Sequence, residues 1–259
     1  MKLGTLFAAF FLIVSSLFVS SLLAQDSDEF MRGPDGGTTY HVDGISVRPL
    51  AGQPFFGRGT TEWTRTLQDG SIVKTHLFAM VARDSQGRIY REGRNFVPVN
   101  SDQEPKRYRF IIRDPITHTE TLCMVTSHSC EVTNYYVSPS FKLMPVGPFD
   151  NGKRMLARES LGNDVLDGIN VVGSRETITI NAGVIGNSQA LSLTREFWYS
   201  SELQVNLEIT RKDPREGTQV VHVYDVSRSE PDPSMFKVPD GFVIHDVRNQ
   251  DVHKAKSDN

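Results

Sequence analysis

Turn-forming pairs recur along this chain between short runs of β-capable residues, and that punctuation restricts the fold more than any other feature. Asp69-Gly70 separates two such runs, and Ser85-Gln86-Gly87 turns the chain again. Asp114-Pro115, Asp167-Gly168 and Asp213-Pro214 with Gly217 repeat the plan. Glycine supplies the backbone angles that tight hairpins require, and proline presets the start of a turn. Hairpins on this spacing imply a mainly β fold: a curved antiparallel sheet or incomplete barrel with few short helices.

The segment "TREFWYSSELQV" at 194–205 tests that reading. Leu203, Val205, Leu207 and Ile209 alternate with Glu202, Gln204, Asn206 and Glu208, so one face is apolar and the other polar. Such alternation marks a half-buried strand. In the run before it, Phe197 and Tyr199 share a face with Leu191 and Leu193, while Trp198 points the other way. Phe197, Tyr199, Leu203, Val205 and Leu207 are therefore the candidate apolar face, as core wall or as binding surface. Trp198 is the candidate exposed contact, unless it packs beneath a loop.

Helical pattern is scarce. "RMLARESL" at 154–161 is compatible with a short helix or a strand. "PDPSMFKVPDGF" at 231–242 reads as one helical turn and then extended chain, with Met235 and Phe236 under the sheet.

The N-terminus has the layout of a secretory signal peptide. Lys2 precedes an almost wholly apolar stretch that ends at Ala24, before the polar "QDSDE". Cleavage is expected between Ala24 and Gln25, giving a periplasmic or extracellular protein; an uncleaved anchor is the alternative. Residues 25–40 and 248–259 read as a disordered leader and tail. Residues 41–247 are left as one β-rich domain, with 138–155 as the junction if it divides into two halves. Loss of Lys2, the only charged residue before Gln25, moves the formal charge from −3 to −4. That balance shows no basic stripe of the kind a nucleic-acid partner would want. No second run is apolar enough to cross a membrane, so the cleaved chain is not expected to be an integral membrane protein.

Cys123 and Cys130 are the two cysteines of the chain. In an exported protein this spacing suggests a disulfide across a hairpin, with Thr126 and Ser127 as its two-residue turn. Two free thiols are one alternative; a zinc site with His118 and His128 is another, although the spacing fits no standard zinc pattern. Catalytic motifs are missing: there is no HExxH, no GxSxG and no phosphate-binding glycine loop. "GVIGN" at 183–187 lacks the lysine such a loop needs and reads as a connector. No enzyme class and no cofactor is indicated.

Several stretches, "ARESLG", "LDGINVVGSRETITI", "AGVIGN", "EFWYSSELQV" and "EPDPSMFKVPDGF", together resemble a set of exported bacterial proteins without assigned activity. The last strands and their ending also resemble those of the outer-membrane lipoprotein-sorting proteins. That resemblance implies an incomplete barrel whose apolar side holds acyl chains, though this chain has fewer helical segments to plug it. Two classes follow. One is an exported binding protein holding an apolar or lipid-like ligand; the other is a structural or interaction module that meets an envelope protein. A cavity of several hundred cubic ångströms would favour the first.

Overall fold

The computed structural model describes residues 28–32, 39–137 and 143–248. The expected signal segment, the tail from 249 onward and part of the expected 138–155 junction lie outside the described residues. Two short strands, β1 (Asp28–Arg32) and β2 (Thr39–Asp43), pair antiparallel in a small sheet of their own. They fall at the edges of the leader expected over 25–40, whose other residues lie outside the described ones. Phe30, Tyr40 and Val42 supply strand-forming residues in a region otherwise judged by its glycines.

All other strands among the described residues belong to one sheet. A first meander comprises β3 (Phe55–Thr66), β4 (Ile72–Arg83), β5 (Ile89–Arg94), the short β6 (Val97–Pro98), β7 (Arg107–Asp114), β8 (Thr119–Met124) and β9 (Ser129–Asn134). A second comprises β10 (Gly147–Phe149), β11 (Arg154–Leu166), β12 (Ile169–Ile180), β13 (Leu191–Ser200), β14 (Val205–Asp213) and β15 (Gly217–Ser227). Pairing of β15 with β3 fuses the two into a 14-stranded sheet. The sheet does not close: β10 is one edge, and the far edge is β16 (Val243–Asp246), which pairs parallel to β9. Among the described residues the one helical element is a single 3-10 turn, Pro233–Phe236.

The punctuation seen in the sequence sits at the hairpin ends. Asp167 and Gly168 both have left-handed backbone angles, φ 48° and 74°, which matches the turn to the twist of β11 and β12. Gly70 N–H donates to Leu67 O at 3.0 Å between β3 and β4. Asp114 starts its turn by accepting from the amides of Ile116 and Thr117, 2.8 and 3.1 Å away. Residues 154–161 take the strand alternative, as part of β11.

Cys123 and Cys130 are direct cross-strand partners of β8 and β9 and form a disulfide. The turn between them differs from the expected two-residue loop. Met124 pairs with Ser129, so Val125 to His128 all lie in the loop, and His128 takes the left-handed conformation at φ 47°. Thr126 and Ser127 lack the easy access to left-handed angles that a two-residue loop demands.

Strict alternation along β3 and β4 sends successive side chains to opposite faces. Phe55 and Val81 enter the main core with Leu207, Ile209, Val221 and Val223, over which Ile45 and Val47 fold back. Phe56, Met80 and Ala82 face the other way, towards a second cluster built on Tyr90, Phe110, Ile112 and the disulfide. The chain that leaves β15 crosses that second face before reaching β16, and buries Phe236 there. Residues 228–242 thus form a strap across the first meander.

Candidate functional site

The stretch at 194–205 is largely core wall. Val205 and Leu207 in β14 are buried, and so is Leu203, in the turn before that strand. Phe197 in β13 is half-buried against the main core. Tyr199, expected in the apolar wall, is 38% exposed. Trp198, expected on the wetter side, is half-buried and packs against the core too. The register with β14 shifts beside it, between Trp198 and Tyr199, and leaves Leu207 of β14 without a partner on β13. Trp198 lies opposite Gly173 of β12, and a Cβ added to Gly173 would stand 2.6 Å from the Trp198 ring. The indole therefore covers bare backbone, a role no neighbour in sequence announces.

An opening of a different kind lies on the opposite face of the sheet. Between the strap and strands β3, β4, β5 and β7 runs a groove of about 850 Å³. Its apolar lining includes Phe56, Met80 and Phe110 from the sheet and Met235 and Val238 from the strap. The strap is fixed over it by local chemistry. Asp232 accepts from Ser234 N–H at 2.8 Å and starts the 3-10 turn that drives Phe236 inward. Arg88 stands 5.0 Å from the Phe236 ring and is itself paired with Asp84 at 2.6 Å. Glu230 accepts from the amide and hydroxyl of Ser85 at 3.2 Å, tying the strap to the β4–β5 turn. Beyond the groove, Phe242 packs edge-on to Phe110, with ring centres 5.8 Å apart. Val243 N–H then donates to His128 O at 2.8 Å as β16 begins.

The floor of the groove holds a compact ionic network. Glu92, 8% exposed, accepts from Tyr90 Oη at 3.0 Å and from Arg107 Nη1 at 3.2 Å through Oε1. Through Oε2 it accepts from Arg94 Nε at 2.9 Å and from Met80 N–H at 3.3 Å. Arg107 Nη1 also donates to Tyr90 Oη at 2.9 Å. Burial first, and then the negative charge of Glu92, push the Tyr90 phenol well above the usual tyrosine range. Tyr90 thus stays a donor to Glu92 throughout the physiological range. Sequence reasoning missed this site. Its sheet residues and its strap residues are more than a hundred positions apart, and only the β3–β15 pairing brings the strap back across β5 and β7.

His118 and His128 both lie in turns, and the disulfide removes the two thiolates a zinc site would have used. No group of residues suited to holding a metal ion occurs among the described residues. No helix among them is long and apolar enough to cross a membrane.

No protein-family model matches the chain, and no curated protein matches it. Some solved structures are similar to it over about three quarters of its length. An uncharacterised conserved protein from Thermus thermophilus is 11% identical, with 75% of this chain and 91% of that one covered at a TM-score of 0.39. MucB in its complex with MucA, from Pseudomonas aeruginosa, is 12% identical at a TM-score of 0.36. That match covers 72% of this chain but only 56% of the other. A LolA superfamily protein from Nitrosomonas europaea is 9% identical, with 73% and 91% covered and a TM-score of 0.28.

Proposed function

We propose that the mature chain is an exported binding protein of the cell envelope, which holds an apolar or lipid-like ligand between the strap and the sheet. The observation that carries this reading is the groove itself: about 850 Å³, with Phe56, Met80, Phe110, Met235 and Val238 in its lining. Ligand sites are typically concave, largely apolar and of several hundred cubic ångströms, with a few convergent polar groups, here Tyr90, Glu92 and Arg107. Export follows from the apolar run ending at Ala24, and mature protein is expected to begin at or near Gln25.

Native mass spectrometry of protein purified from its own envelope tests the reading. The expected spectrum shows a small apolar adduct that is lost from a Met80→Trp variant, whose larger side chain fills the groove. A spectrum without adduct from both proteins, together with an intact Met1, would refute exported ligand binding.

A second reading, an interaction module without a small ligand, draws on one separate observation. The segment around the 138–155 junction exposes apolar side chains: Tyr136 at 76%, Leu143 at 57% and Val146 at 59%. Recovery of a stoichiometric protein partner, lost when those three residues are made polar, would favour it over the carrier.

A further inference from the structure

The groove floor carries a charge imbalance that names a ligand class. We propose that the groove selects an apolar chain ending in an anionic group such as a carboxylate, and that Arg107 receives that group. This rests on the reading of the groove as a ligand site.

Glu92 contributes one negative charge and is matched by two guanidinium groups, Arg94 and Arg107. One positive charge is left over. Arg94 does not hold it for a ligand: its side chain is 16% exposed, its Nε is bound to Glu92 and its Nη1 donates to Pro105 O at 2.9 Å. Arg107 lines the groove with its side chain 38% exposed. Its hydrogen bonds leave from Nη1, to Tyr90 and to Glu92. Nε and Nη2, the edge that presents two parallel donors, have no partner among the described residues. That edge matches a carboxylate in a two-bond, charge-assisted geometry. The stem of Arg107 is steadied by the Phe110 ring, 5.2 Å from the guanidinium carbon. Phe110 also belongs to the apolar lining, so head and tail sites adjoin.

The strap edge of the groove has the opposite balance: Glu230, Asp232 and Asp240 against Lys237. All four are exposed, and Glu230 already serves Ser85. Water and salt screen charges on that rim within about 10 Å at ordinary ionic strength. A charge at the partly enclosed floor is screened less, so the floor decides the sign of the ligand.

The experiment uses the purified mature chain and displacement of the neutral fluorescent probe N-phenyl-1-naphthylamine. The competitors are decanoate, 1-decanol and decyltrimethylammonium, which share a chain length and differ in head charge. Decanoate is expected to displace the probe at a concentration about tenfold lower than 1-decanol, as a hydrogen bond to a charged group implies. In Arg107→Gln the ratio between decanoate and 1-decanol falls to about one; in Arg107→Lys part of that advantage returns. Glu92 keeps Arg94, Tyr90 and the Met80 amide in both variants, and the wild-type comparison decides even if either variant unfolds. Decanoate no better than 1-decanol, an advantage that survives Arg107→Gln, or tightest binding of decyltrimethylammonium would each overturn the assignment of Arg107 and leave the groove as a ligand site. Failure of the probe and of all three competitors to bind would overturn the groove reading as well.

Discussion

Gly173 and Trp198 show how one missing side chain decides the placement of another. The indole lies on the glycine backbone across β12 and β13, with Leu161 Cβ 2.8 Å from where a Gly173 Cβ would be. Gly173→Ala should therefore cost about 1–3 kcal/mol, the usual penalty for overpacking. Urea denaturation followed by tryptophan fluorescence reads it, and an unchanged midpoint would mean the ring moves aside freely. Arg83 is the second residue on which much depends. It is fully buried and donates to three backbone carbonyls, Gln53 O at 2.8 Å and Arg48 O and Leu203 O at 2.9 Å. Burial pulls its pKa down to about 10, yet the cation persists because the three carbonyls solvate it. Arg83→Leu leaves buried acceptors without a donor and should cost at least about 3 kcal/mol. A loss under about 1 kcal/mol, measured by the same denaturation, would show that water replaces the guanidinium.

The β8–β9 hairpin and the strap form one mechanical unit. Cys123 and Cys130 are both buried, and Ile244 of β16 pairs directly opposite Cys130. The bridge closes a short loop, so the chain-entropy account limits its contribution to about 2–3 kcal/mol. The Cys123→Ala, Cys130→Ala double variant should lose that amount and remain folded. Because the bridge is covered, native protein should show no titratable thiol in non-reducing conditions, and mild reductant should act no faster than the strap opens. Rapid reduction in native buffer would show that the strap spends much of its time off the sheet. Phe236 anchors the same strap from its helical turn. Phe236→Ala should destabilise by about 3–5 kcal/mol, as large-to-small core changes do, and lower the midpoint of thermal unfolding in calorimetry.

At the scale of the whole molecule, everything depends on the β15–β3 pairing. Thr60 of β3 bonds His222 of β15 across 162 positions, and Trp63 Nε1 donates to Glu216 O across 153. Loops of that length must close before the sheet or the groove exists. Folding should accordingly be slow, on the order of milliseconds to seconds, as in other sheets dominated by distant pairings. Stopped-flow refolding of the disulfide-intact protein checks this, and a microsecond phase carrying the full amplitude would contradict it.

Much of the local architecture was legible in the residues alone. Asp69-Gly70, Asp114-Pro115, Asp167-Gly168 and Asp213-Pro214 mark hairpin ends because turn angles are a property of a few adjacent residues. The alternation at Val205, Leu207 and Ile209 located a buried face for the same reason: the two-residue period of a strand is local. What lay beyond that reach depended on distant partners. The register shift beside Trp198 answers to β14, the covering role of Trp198 answers to Gly173, and the groove exists only where the strap meets the sheet. Periodicity along the chain determines which way a side chain points; only the closing of long loops determines what it meets.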